Sequence, residues 1–523
     1  MSMVGIAGDH PPAATIMSTR EATRNTTMQA NQCNNVKVVL PNPPAMITSV
    51  GKVRLPAVVG ITGSRRSSVT PLIATTKGWQ NVRLNSTLGY IETKTSPNAT
   101  PPPLAALPTG ALLRSLLVAT ISSKPYLLSP CLSILSVLCK PNRGILLNVD
   151  RNVILHSILK RLFYNQFCAG EIGAETKATI RRFKEMGFQG TIMTYAKETT
   201  FDNQTKSMHG LGISDSQGKK NGDSGAVQQC PSIEAWRKGT LETVDLLGED
   251  DYLAMKLTGA GPTVTKAFNA GELPPAQMID ALEEICTRCK NKNIRILIDA
   301  ESQHFQWGIL RVTLELMRKY NRDGYALVYN TYQAYLKITP SVVAKHLAIA
   351  SEEGFTLGLK LVRGAYIATD DRSLIHDTKE QTDDTYNSIA QGALKQEIGE
   401  FGGQNGRPFP SLNLFLASHN RASVVDAHNL HQQRVNANLP TVPVGFAQLH
   451  GMSDEVSFGL LQLKGRDGSP QVYKCSTWGT MGECLAYLLR RAIENRDAVL
   501  RTGDEYRALK AEVRRRLGAY ISG

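Results

Sequence analysis

Leu357-Gly-Leu-Lys-Leu-Val362, followed by Arg363-Gly-Ala-Tyr366, is the stretch on which the fold turns. It is a short, β-rich apolar run that stops at a polar, glycine-containing turn, and a helix-like segment comes after it. The same unit recurs on both sides. The other runs are Gly190–Tyr195, Tyr252–Leu257, Ile294–Asp299, Ala326–Tyr329, Leu412–Ala417, Val444–Leu449 and Gln471–Cys475. Eight strand–helix units in one chain predict an α/β fold of the (β/α)8 TIM-barrel type, for which roughly 250 residues is typical. An open, doubly wound sheet is the alternative arrangement of such units.

Moving outward, two polar inserts interrupt the regularity, Asn203–Cys230 and Gly402–Pro410, and both read as surface loops. The barrel is expected over residues 187–523, with a helical segment over 104–186. Residues 1–103 lack sustained periodicity and are rich in Thr, Ser, Asn and Pro, so a disordered extension is expected there. Residues 104–140 are more apolar, but Arg114, Lys124, Pro125 and Pro130 interrupt them. Two short helices, covering something or touching a membrane surface, fit that pattern better than a transmembrane span.

Charge bounds the function. The net charge is +14, yet residues 1–140 carry +10 of it, from 13 Lys/Arg against Asp9, Glu21 and Glu92. The basic excess therefore belongs to the N-terminal part, and nothing supports nucleic-acid binding by the folded part. An acid-poor, Arg/Ser-containing N-terminus is similar to an organelle transit peptide. Nine scattered cysteines, an odd number, fit reduced thiols. Cys286-x-x-Cys289 lies in a helix-like run without a second ligand pair, so it reads as packing and no metal site is expected.

In a barrel, chemistry gathers at the C-terminal strand ends. Polar groups stand there in this chain: Lys256, Asp299-Ala300-Glu301, Asn330, Lys360 to Tyr366, Ser418-His419-Asn420, Gln448 to His450, and Tyr473-Lys474. The cluster is cationic and suits an anionic ligand, either a phosphate-bearing cofactor or a carboxylate. No strand-linked GxGxxG and no P-loop occurs, so a nucleotide would have to lie across the barrel mouth. After the eighth run a helix is expected from about Thr480 to Arg496. There Tyr487, Arg490, Arg491 and Glu494 share one face, and two arginines can fork around one carboxylate.

These residues carry a resemblance. Leu297-Ile-Asp-Ala-Glu301, Lys360-Leu-Val-Arg-Gly-Ala-Tyr366, Ser418-His-Asn420 and Tyr487-Leu-Leu-Arg-Arg-Ala-Ile-Glu-Asn495 together resemble the proline dehydrogenase family. In order and spacing the set is closest to mitochondrial, fungal-type members, over about residues 104–500. The resemblance implies a distorted barrel with non-covalent FAD. It implies oxidation of L-proline to Δ1-pyrroline-5-carboxylate and delivery of electrons to a membrane quinone. A mitochondrial location follows, with inner-membrane contact left open.

By position, the resemblance gives Asp299 and Lys360 the catalytic places, Lys360 near the flavin. Lys256, Arg490 and Arg491 would bind the proline carboxylate, Tyr473 and Tyr487 would pack on its ring, and Glu494 would pair with an arginine. Ala300, Asn330, Arg363, Gly364, Ala365, Ser418 and His419 would contact FAD. Bacterial members have the two cations of Lys360 and Arg363 exchanged, and many have Gln at the Asn330 position. Hydroxyproline dehydrogenase is the nearest rival, with a Tyr at 473 favouring proline. A non-catalytic proline or flavin sensor is the rival of another class.

Overall fold

The computed structural model describes residues 101–139, 144–195, 199–202, 207–210, 229–367, 369–466, 468–497 and 499–522. The extension expected at 1–103 lies outside the described residues up to position 100, as does most of the first insert. So do some side chains within helices, those of Arg491 and Glu494 among them.

Ten strands are described: β1 Gly190–Tyr195, β2 Thr199–Asp202, β3 Ser207–Gly210, β4 Tyr252–Met255, β5 Arg295–Ile298, β6 Val328–Gln333, β7 Leu357–Val362, β8 Leu412–Ala417, β9 Val444–Leu449 and β10 Gln471–Trp478. Eight of them close into a parallel barrel in the order β1-β10-β9-β8-β7-β6-β5-β4. The barrel is the predicted fold, and the open sheet is excluded by the closing pairs β1–β10 and β1–β4. β2 and β3 form an antiparallel hairpin. The first insert is thus partly strand, because Ser207–Gly210 pairs back onto Thr199–Asp202.

Ahead of the barrel come α1 Thr109–Ser122, α2 Pro125–Leu138, α3 Val153–Leu159, α4 Asn165–Phe167 and α5 Gly173–Glu185, with a π-helical turn at Lys160–Tyr164 joining α3 to α4. Pro125 suits the first turn of α2, where its missing N–H costs nothing. No single described helix is long and apolar enough to cross a membrane. α1 and α2 pass that test only as a pair, bent by 101°. The outer ring continues with α6 Pro231–Leu246, α7 Pro262–Asn269, α8 Ala276–Asn291, α9 Gln303–Tyr320, α10 Thr339–Glu353, α11 Lys379–Lys395, α12 Arg421–Asn436 and α13 Asp454–Gln462. Cys286 and Cys289 are fully buried in α8 and pack in the apolar layer around the barrel.

The last two helices give the barrel its distortion. α14, Met481–Asp497, leaves the outer ring and packs its Met481, Leu485 and Leu488 with Leu138, Tyr164 and Phe167 of the N-terminal segment. α15, Val499–Ser522, lies beside α1, and its Leu509 joins the apolar layer between strands and helices.

Inside the barrel, side chains alternate along each strand. Tyr252, Leu297, Tyr329, Phe415 and Tyr473 meet in the lower interior, with Tyr252 5.0 Å from the Tyr473 ring and 4.9 Å from Phe415. Arg295 closes that end and donates from Nη1 to the Tyr252 hydroxyl at 2.9 Å. This plug fills the base of the barrel and leaves the opposite end for a ligand.

Candidate active site

A cavity of about 490 Å³ opens at the C-terminal ends of the strands, within the ordinary range of a ligand pocket. Its centre is a charge triad. Asp299 follows β5 and receives Lys360 Nζ of β7 on one carboxylate oxygen at 2.7 Å. Its other oxygen lies 3.2 Å from Lys256 Nζ, just past β4. Three strands thus deliver two cations and one anion to one spot, a net positive site. Burial alone would raise the Asp299 pKa, but Lys360 and Lys256 outweigh it and hold the carboxyl below the usual aspartate range. Burial works against the Lys256 charge too, yet Tyr366, Asp299 and Glu301 together hold its proton more tightly than in an ordinary lysine. The Tyr366 hydroxyl, beside this triad, is pushed up to about 12 by burial.

Behind the triad, Glu301 is fully buried. It accepts from Thr258 N at 3.1 Å and from the Thr258 hydroxyl, which fixes the turn that carries Lys256. Burial raises its pKa, offset in part by Lys256.

The turn after β7 is held just as firmly. Asp370 accepts from Ser302 Oγ at 3.1 Å, Gln303 N at 3.0 Å and Tyr335 OH at 2.8 Å, tying it to the loop after β5. Gly364 has φ +147°, and a Cβ there would lie 2.4 Å from the Tyr335 ring, so only glycine lets this turn lie flat at the rim. Arg363 donates from Nε to Asp383 at 2.7 Å, from Nη1 to Ser418 Oγ and from Nη2 to Ser423 Oγ at 2.9 Å. Its guanidinium lies 4.3 Å over the Tyr386 ring. Two of its five N–H groups remain for a ligand. Both nitrogens of His419 are engaged: Nε2 accepts from Leu449 N at 3.2 Å, so Nδ1 carries the proton and donates to Ser453 Oγ at 3.1 Å. His419 therefore presents its ring to the cavity.

The opposite wall is α14, which brings Tyr487 and Arg490 to the mouth. Its first turn is clasped from the N-terminal segment. Tyr164 OH donates to Gly479 O at 2.6 Å, Glu171 Oε1 accepts from Met481 N at 3.1 Å, and Asp150 Oδ1 accepts from Gly482 N at 3.0 Å. Carboxylates at a helix N-terminus satisfy orphan N–H groups and meet the positive end of the dipole. The π turn at Lys160–Tyr164 is what carries Tyr164 into this clasp.

Lys256, Asp299, Ala300, Lys360, Arg363, Gly364, Ala365, Ser418, His419, Tyr487 and Arg490 thus line one cavity. Two expected residues do not. Asn330 belongs to β6, which runs on to Gln333, so the inward positions are Tyr329, Thr331 and Gln333. Asn330 is buried on the other face of the strand, and the cavity-facing amide is Gln333. Tyr473 sits near the start of β10, opposite Gly190 and Ala447, in the lower plug. β10 extends to Trp478, and the inward residue one step higher, Cys475, lines the cavity in its place. The side chains of Arg491 and Glu494 lie outside the described residues. Tyr366, Gln333, Thr331, Met452 and Cys475 are cavity residues to which the sequence reading gave no role. Counting in twos from Tyr329 and Tyr473 would have found Thr331, Gln333 and Cys475.

Comparison with known proteins bears on the family and the fold. A family profile described as "Proline dehydrogenase" matches residues 176–502. The "Probable proline dehydrogenase, mitochondrial" of Schizosaccharomyces pombe is 28% identical over 447 residues, which is 78% of this chain and 88% of that protein. A "Hydroxyproline dehydrogenase" of Bos taurus is 26% identical over 402 residues, covering 69% of this chain and 82% of that one. Among solved structures, proline utilization A from Bdellovibrio bacteriovorus inactivated by N-propargylglycine aligns with a TM-score of 0.54 at 16% identity. That alignment covers 72% of this chain and 38% of the other, and it shows a shared fold.

Proposed function

The chain belongs to the proline dehydrogenase family, and from that premise we propose that it oxidises L-proline to Δ1-pyrroline-5-carboxylate with a non-covalent FAD at the barrel mouth. A membrane quinone takes the electrons. The basic, acid-poor N-terminus and the mitochondrial names of its relatives support action in mitochondria. The observation that carries the reading is the Lys256–Asp299–Lys360 triad facing Arg490 and Tyr487 across one cavity.

The residues present fit a flavin. Ala300, Gly364, Ala365, Ala417 and Ala447 leave a smooth wall for a planar ring, and the Tyr335 ring packs against Gly364 where a Cβ would stand. Arg363 and Ser418 form the polar corner suited to phosphate. When bound, the flavin supplies a two-electron acceptor for a hydride.

The chain's own groups do the rest. Arg490 and Lys256, with Arg491, hold the substrate carboxylate, and this fixes which ring carbon points inward. Tyr366 and Tyr487 bracket the ring. Asp299 pairs with both lysines and holds them in place, and Lys360 offers a positive charge where negative charge develops. Tyr366 stays neutral at physiological pH and can donate a hydrogen bond without adding charge.

Purified full-length protein is expected to be yellow, and excess proline without an acceptor should bleach its flavin band. A folded, colourless protein that takes up no FAD would refute the reading. A second reading has a specific observation behind it. Cys475 lines the cavity where a tyrosine was expected, so no ring crowds that side. Hydroxyproline is then a competing substrate, and the ratio of kcat/KM for the two decides between them.

A further inference from the structure

A second cavity, of about 350 Å³, lies between α1, α5 and the outer side of β9 and β10. It stands back to back with the first. Leu449, Met452 and Cys475 face the active site, whereas their chain neighbours His450, Gly451 and Lys474 face the second cavity. One thickness of backbone separates the two.

Its lining combines an aromatic wall with unpaired donors. Phe183, Phe188 and Phe458 are buried and in edge contact, with centroids 5.7 Å and 5.4 Å apart, and His450 meets Phe183 at 4.9 Å. Lys474 is committed, since it donates to Asp454 at 2.7 Å and to Met452 O at 3.2 Å. Arg114 is not. Its buried Nε makes no hydrogen bond, and no carboxylate pairs with Arg114 or Arg182 among the described residues. Burial, then Arg182, lowers the Arg114 proton affinity. Burial, with Lys474, Arg114 and Arg182, holds the His450 ring neutral with a pKa of about 3. One ring nitrogen of His450 is bonded to Ser476 Oγ at 3.1 Å, which leaves the other for a ligand. A planar apolar molecule with acceptor oxygens at its edge matches this set.

The mouth is placed to receive it. α1 supplies Gly110, Ala111 and Arg114 to the cavity, while on an adjoining face of the same helix Leu113 and Leu117 are 52% and 40% exposed. Twelve of the 22 large apolar side chains exposed among the described residues fall between Leu113 and Ile172. Such a surface marks contact with lipid or another apolar partner.

We propose that this cavity holds the head group of the quinone, with Arg114 and His450 addressing its carbonyl oxygens and the rings of Phe183, Phe188 and Phe458 packing against its ring. The inference rests on the dehydrogenase reading above. The exchange balances without a third reactant: proline loses two electrons and two protons in becoming the imine, and the dione gains both in becoming the hydroquinone.

The test uses the full chain as wild type, Arg114→Ala and Gly110→Trp. A Cβ at Gly110 meets nothing nearer than Arg114 Nη1 at 3.9 Å, so tryptophan there can plug the mouth without displacing backbone. A short-chain, water-soluble benzoquinone is the probe. Its equilibrium binding by calorimetry and its KM should both weaken by about 10-fold or more in each variant. The extent and rate of flavin bleaching by proline without acceptor should not change. Unaltered benzoquinone binding in Gly110→Trp would overturn the proposal. So would binding of inorganic phosphate that Arg114→Ala abolishes while benzoquinone binding persists, which would mark an anion site. If wild-type protein is not bleached by proline, the dehydrogenase reading fails on its own, and calorimetry still reports on the cavity.

Discussion

Lys256, Asp299 and Lys360 stand at the ends of three strands of one closed sheet, whereas Tyr487 and Arg490 ride on a helix that has left the ring. The first group is fixed by β-ladder pairing on both sides and by the buried Glu301 behind it. The second is fixed by a clasp from Tyr164, Asp150 and Glu171, all ahead of the barrel in sequence. The contrast separates two duties. The strands set the charge at the floor of the site, and the N-terminal segment sets the position of the wall that carries Tyr487 and Arg490, to which the proposed function gives the substrate's carboxylate.

Breaking the floor should cost most. Asp299→Ala leaves two partly buried lysines facing each other, and about 3–5 kcal/mol of stability should be lost. Chemical denaturation and retained flavin measure it together, and both should fall. Breaking the wall should be selective. Arg490→Ala removes a charged partner of the carboxylate, worth about 2–5 kcal/mol, so proline affinity should drop roughly 30-fold or more. Flavin content should stay as in wild type, and equal loss of both would remove the distinction between floor and wall.

Loosening the clasp should act at a distance. Glu171 accepts from Met481 N and pairs with Lys160 at 2.7 Å and His156 at 3.1 Å. Glu171→Gln weakens charged hydrogen bonds of about 1.5–3 kcal/mol. The expected result is a raised KM for proline with little change in flavin content, and an unchanged KM would show that α14 holds its position unaided. The smallest effect is in pH. The Asp299 pKa is below its ordinary value in the folded state, so its contribution is complete above the unfolded pKa of about 3.9 and is lost as pH falls through the folded value. The stability gap between wild type and Asp299→Asn should therefore be flat above about pH 5 and close only in stronger acid.

The barrel was legible in the sequence because its strands are buried on both faces and read as apolar runs. Gly190–Tyr195, Leu357–Val362, Leu412–Ala417 and Val444–Leu449 agree residue for residue with β1, β7, β8 and β9. Where the reading stopped short, it did so at the functional end. β6 continues through Asn330, Thr331 and Gln333, and β10 through Ser476 and Thr477, polar residues that look like loop. Thr331 and Gln333 are tolerated because the upper barrel is lined for a ligand, and Ser476 and Thr477 because they bond to His450 Nδ1 and Thr194 O, while Tyr252, Phe415 and Tyr473 below must exclude water. Truncating those two strands put Asn330 and Tyr473 at the rim and hid Gln333 and Cys475. The clasp was not legible, since nothing local in Tyr164 or Glu171 announces a partner more than 300 positions away.

That separation has a consequence for folding. The Tyr164–Gly479 bond spans 315 positions, and a contact of such range forms late and slowly compared with local structure. The pairs that close the barrel, such as Gly190 with Tyr473, are nearly as long in range, so barrel closure and the docking of α14 are expected together, late in folding. A chain truncated before Gly479 would keep all eight barrel strands and lose Tyr487 and Arg490, the part of the proposed substrate grip that the N-terminal clasp positions.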